Sequence, residues 1–168
     1  MYRYALALAL SLGCCAAQTN PLIKESRAAY DGVKNNLIKA AEKMPEDAYS
    51  FKPTPEMQTF GERMMHIANQ IRTCSNIKGE PKQAAAATAK ADIVNALKAS
   101  FEACDGAWDS MSDATATEMM AGRGGRGGPT SKLGTLIRNT NHDSEMYGYI
   151  SVYMRLKGVV PPSSDRGM

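Results

Sequence analysis

Apolar residues recur along this chain at alternating spacings of three and four, the mark of helices that bury one face. The first such stretch runs through Ile23, Tyr30, Val33, Leu37, Ala40 and Met44, with Ser26 filling a gap. Pro45 stops it, because proline has no N–H to donate and its ring clashes with the preceding turn. Residues 45–58 carry three prolines, so an ordered or extended connector is expected there, with Tyr49 and Phe51 packing down on the bundle. Thr59, followed by Glu62, reads as a capping box that opens a second helix. Its stripe is Phe60, Met64, Ile67, Ile71 and Cys74, and Gly79 and Pro81 close it. An alanine-rich approach leads into a third helix with the stripe Val94, Leu97, Phe101, Cys104, Trp108 and Met111. A fourth is expected from about Ser131 to Lys157, ending at Gly158 ahead of Pro161 and Pro162. Leu133, Leu136 and Ile137 lie on one of its faces and His142, Met146, Tyr149, Tyr153 and Leu156 on another, so a bend or a change of partner is expected near Asn141. No strand-like alternation is found. The pattern predicts an all-α four-helix bundle.

Composition changes this picture little. The 168 residues, 43% of them hydrophobic, suit one domain with one core. The formal net charge of +3 is small, no basic block stands out, and no nucleic-acid partner is expected. The stretch "AGRGGRGGPT", residues 121–130, reads as a connector, since its five glycines cannot hold a helix.

The first residues change it more. Arg3 followed by the apolar run Ala5–Leu12 and by Cys15-Ala16-Ala17 resembles a secretory signal peptide. Residues 1–17 are therefore expected to be cleaved, leaving residues 18–168 as the exported domain, periplasmic or extracellular, with no membrane span. Lipidation at Cys14 is the competing reading, weakened by Ser11 where a lipobox prefers leucine. Export leaves Cys74 and Cys104, which are either a disulfide or two buried thiols; an oxidising compartment favours the disulfide.

Only two histidines are available for chemistry, His66 in the second helix and His142 in the fourth. Alone they are a weak metal signal, and hydrogen-bonded histidines would account for them. The surrounding words add to this. "TFGERMMHIANQ", "NHDSEMYGYISVYMRLKGVVPPSS" and the four-helix layout together resemble the DinB superfamily, in its branch related to bacillithiol transferases. The resemblance spans nearly all of the expected mature chain. It implies a bundle of up-down-down-up course and, for exported members, a cysteine late in the second helix and another midway along the third, as at Cys74 and Cys104.

The resemblance also implies a divalent metal held by one histidine of the second helix and an H-x3-H pair of the fourth. The first two ligands map onto His66 and His142, and the third falls on Met146, where this chain departs from the pattern. A thioether is a soft ligand, poor for Zn²⁺ but good for Cu(I). Three readings follow: the metal is lost and Met146 plugs the gap; Glu145 or Glu62 supplies a carboxylate and keeps a zinc- or nickel-type site; or copper is bound. Tyr149 and Tyr153 are expected to line the pocket, and no residue is assigned a catalytic role. Two functions remain open. One is a metal-dependent hydrolase or thiol transferase acting on a small molecule. The other is a non-catalytic bundle with a degenerate metal site that binds a small ligand, a metal or a protein partner, a homodimer included.

Overall fold

The computed structural model describes residues 20–121 and 128–165. The expected leader, residues 1–17, and most of the glycine-rich connector lie outside them. The helices are α1 (Pro21–Lys43), α2 (Phe60–Ala68), α3 (Ile71–Ile77), α4 (Lys90–Asp109), α5 (Asp113–Ala116) and α6 (Lys132–Leu156). Among the described residues no helix is long and apolar enough to cross a membrane.

Side-chain caps and glycines set the ends of the helices. Asn20 caps α1 through its side chain. Thr59 and Glu62 close a reciprocal capping box at the start of α2: the Glu62 carboxylate accepts from Thr59 N at 2.7 Å, and Thr59 Oγ1 accepts from Glu62 N at 3.1 Å. Ser131 caps α6, and Gly79 and Gly158 take the positive φ that helix exits favour. The connector after α1 forms a 3-10 turn, Glu46–Ser50, and Tyr49 folds under it to donate to Ala41 O at 2.6 Å.

Side-chain pairings fix the direction of each helix. Arg27 meets Asp105 and Asp109 near the start of α1, while Lys98 meets Glu42 near its end, so α1 and α4 run antiparallel. Gly61 lies beside Ile93, and Cys74 is bonded to Cys104, so α2–α3 and α4 run parallel. Tyr153 donates to Gln58 O while His66 faces His142, so α6 runs antiparallel to α2. The course is up-down-down-up. A parallel neighbour demands a return along the bundle's length. The 20 residues of α4 span about 30 Å at about 1.5 Å per residue. Residues 80–88, which contain the alanine-rich run, must therefore bridge that length without coiling in spite of their helix propensity, and they form no helix.

The core is one cluster that includes Tyr30, Leu37, Phe60, Met64, Ile67, Leu97, Phe101, Leu136, Ile150 and Tyr153. The Cys74–Cys104 disulfide ties α3 to α4 across a sequence separation of 30. Closing a loop of that size stabilises the fold by about 3–4 kcal/mol on the chain-entropy model.

Several expectations need correction. The second helix is not continuous. It breaks at Asn69–Gln70, where Gln70 N bonds to Ile67 O and Thr73 N to Gln70 O in tighter i→i+3 turns. A short α5 and a two-stranded pair, Met119–Met120 against Thr130–Ser131, close the base of the glycine-rich connector. Strands of two residues have no alternation to detect. α6 continues unbroken through Asn141, and its core face is rotated from the expected stripe. Asp143, Met146, Ile150, Tyr153 and Met154 point inward, whereas Tyr149 and Leu156 are exposed. An acidic residue at the centre of that face hid it from a purely apolar pattern.

Candidate functional site

Two residues on α2 face two on α6. His66 lies three residues after Arg63, and His142 four residues before Met146, spacings that bring each pair onto one side of its helix. Because the helices are antiparallel, His66 meets His142 and Arg63 meets Met146. The imidazoles touch edge to edge, with Nε2 to Nε2 at 3.0 Å and rings T-shaped at 5.2 Å between centroids. One Nε2–H must donate to the other ring. The Glu145 carboxylate, 4.0 Å from His142 Nδ1, would attract a proton on that nitrogen, the tautomer in which His66 Nε2–H donates to His142 Nε2. Burial, followed by the facing His142 and by Arg63, holds His66 below the usual histidine range. The pair sits at the surface: the His142 side chain is 42% exposed.

Beside the pair, Arg63 Nη1 lies 3.6 Å from Met146 Sδ, and its guanidinium covers the Tyr149 ring at 5.2 Å. Arg63 Nε is buried without a hydrogen-bond partner. Such an orphaned donor costs about 1–3 kcal/mol.

Beneath the histidines lies a buried polar cluster. Asp143 is fully buried, and burial pushes its carboxyl up to about 8. Its Oδ2 and the Asn139 Nδ2 both meet Gln70 Oε1. A protonated Asp143 and the Asn139 amide then donate to the two lone pairs of one carbonyl, so the cluster closes without a charge. The alternative, with the Gln70 amide turned to donate to Asp143 Oδ1 at 3.2 Å, suits an ionised carboxyl and leaves that charge desolvated. The protonated form fits the burial.

The expected ligands can now be placed. His66 and His142 converge. Two nitrogens bound to one tetrahedral ion through bonds of about 2.0–2.1 Å stand roughly 3.3 Å apart, close to the observed spacing. Met146 lies in the core at 4% exposure with its sulfur against Arg63. Glu62 is committed to its cap, and Glu145 is on the Nδ1 edge of His142, away from the Nε2 edges. Tyr149 is exposed at the rim, whereas Tyr153 is wholly buried, bonded to Gln58 O at 2.7 Å. Among the described residues no three His, Cys, Asp or Glu side chains are grouped to hold a metal. The donor set therefore fits a two-nitrogen seat, not a three-ligand catalytic centre. Arg63 also opposes a metal. Its positive charge already disfavours a second charge on His66, and a bound dication would meet the same repulsion.

Sequence reasoning missed Arg63, Gln70, Asn139 and Asp143. The i,i+3 step from Arg63 to His66 and the i,i+4 step from Asn139 to Asp143 were visible, but nothing in the order of residues says that the first pair faces Met146 and His142 and the second faces Gln70.

Comparison with known proteins places this geometry in a family. The family model of the DinB superfamily matches residues 29–150. A DinB-like protein from Bacillus cereus superposes with a TM-score of 0.68 at 20% identity, over 83% of this chain and 95% of that one. One from Bacillus subtilis gives 0.67 at 21%, over 88% and 100%. At these identities the two structures speak for the fold alone. No curated protein matches. The extent of the family match is decisive: the chain belongs to the DinB superfamily.

Proposed function

We propose that this chain is a non-catalytic DinB-like bundle that binds a small ligand at the α2–α6 face, where a complete member would hold a metal. The observation that carries this reading is the pairing of Arg63 with Met146. It puts a fixed cation and a weak thioether where a third anionic or imidazole ligand would have to stand. A catalytic metal needs three protein ligands and an open position, and neither carboxylate in reach is directed at the Nε2 edges. The Cys74–Cys104 disulfide supports the exported setting, since such bonds persist in oxidising compartments.

The second reading, a metal-dependent hydrolase or thiol transferase, is favoured by the convergence of the two Nε2 atoms at 3.0 Å. One experiment separates the two. Metal content is measured by plasma mass spectrometry on exported, untagged protein, for wild type, His66→Ala and Met146→His. The ligand-binding reading expects far less than one equivalent in wild type and a gain of zinc or nickel in Met146→His. Stoichiometric zinc, nickel or copper in wild type, lost in His66→Ala, overturns it.

A further inference from the structure

Arg63 differs from the other arginine that bridges helices here. Arg27 is surrounded by Asp31, Asp105 and Asp109, its charge fully answered. Among the described residues Arg63 has no carboxylate partner, and the groups in contact with its guanidinium are a thioether at 3.6 Å and an aromatic ring at 5.2 Å. Its Nε has no acceptor. The nearest carboxylates by sequence are engaged elsewhere: Glu62 in the capping box and Glu145 beside His142 Nδ1. A guanidinium is a rigid fork of donors matched to two oxygens of one anion. Next to it stands an imidazole pair whose facing nitrogens are 3.0 Å apart, and an arriving carboxylate oxygen takes the His66 Nε2–H in place of His142. The place is open to solvent along Tyr149, which is 42% exposed.

We infer that the corner formed by Arg63, His66 and His142 is a binding site for a small organic carboxylate. Arg63 supplies the charge and the fork, His66 the additional donor, and the exposed Tyr149 an apolar wall for the body of the ligand. One uncompensated cation flanked by neutral groups matches a monoanion. A phosphate dianion would call for a second cation, which the corner lacks among the described residues. Binding turns the Arg63 fork out of its slot against Met146 and gives its orphaned Nε an acceptor. This inference rests on the ligand-binding reading and names the ligand's class.

The test is a titration of metal-stripped protein with benzoate in EDTA at fixed ionic strength, followed through the imidazole signals of His66 and His142 in long-range proton–nitrogen NMR. Wild type is expected to saturate with a Kd of roughly 1 mM, typical of a ligand of this size. Arg63→Gln is expected to weaken binding by about tenfold or more, with Arg63→Lys in between because it keeps the charge without the fork. His66→Ala also weakens it. Arg72→Gln, which removes an exposed guanidinium from α3, leaves the affinity unchanged. Shifts that do not saturate overturn the inference, as does equal affinity in wild type and Arg63→Gln, or tighter binding of inorganic phosphate than of benzoate. If Arg63→Gln does not keep the native amide spectrum, Arg63→Lys decides, and an unchanged affinity there overturns the fork. Metal content tests the underlying reading separately, so the two can fail independently.

Discussion

Among the described residues, a cation without a carboxylate partner and a carboxyl without a cation flank the same pair of histidines. Arg63 and Asp143 carry opposite charges in their ordinary states, yet each is held among neutral groups on its own side of the α2–α6 contact. For Asp143 the consequence is a dependence of stability on pH. Its folded value of about 8 lies above its ordinary 3.8, so the folded protein holds the proton more tightly than the unfolded chain does. The stability this contributes is complete below the ordinary value, declines through the window between the two, and is gone above the folded one. Asp143→Asn keeps the shape and removes the titration. Urea unfolding between about pH 5 and about pH 9 should show a fall in wild type that is much reduced in the variant. A wild-type profile flat over that range would instead favour the turned amide of Gln70 and an ionised carboxyl.

At the scale of elements, most of what forms locally was legible. The stripe of α1, that of α4 from Val94 to Trp108, the Thr59–Glu62 box and the glycine exit at Gly158 follow from spacing and side-chain chemistry, and the structure has each of them, whereas Met111 lies beyond the end of α4 and is only half-buried. The break between α2 and α3 and the rotated face of α6 were not legible, and they share a cause. Gln70 and Asp143 are buried polar residues, and the half-buried Asn139 joins them through hydrogen bonds. A periodic apolar pattern has no way to count them as inward. The disulfide acts on the same part of the fold, fastening short α3 to α4. Replacing both cysteines by alanine should lower the unfolding free energy by about 3–4 kcal/mol, read from denaturant titrations under oxidising conditions. A loss well below about 1 kcal/mol would mean that α3 is held by its packing alone.

At the scale of the whole molecule, the unresolved question of sequence is what happens to the chain before it folds. Residues 1–17 are proposed to be a leader, and the cysteines that remain are the bonded pair. Intact mass of protein recovered from the periplasm, with and without reductant and alkylation, should therefore correspond to a chain beginning at Gln18 with both thiols blocked. Retention of the leader, or alkylation without reduction, would contradict it. The course of the bundle belongs to this scale as well. That α2–α3 runs parallel to α4 keeps residues 80–88 out of a helix, overriding an alanine run that favours helix by itself.

The sequence by itself determined the all-α class, the approximate extent of α1, α4 and α6 and the capping box at Thr59, because each rests on neighbours within a turn or on a regular spacing. It also singled out His66 and His142, on a family resemblance carried by short words around them. Only the tertiary structure decided what those histidines stand beside. Antiparallel packing of α2 on α6 aligns His66 with His142, and one turn further aligns Arg63 with Met146. The character of the site depends on that second pairing, since a charge and a thioether acquire meaning only from what faces them.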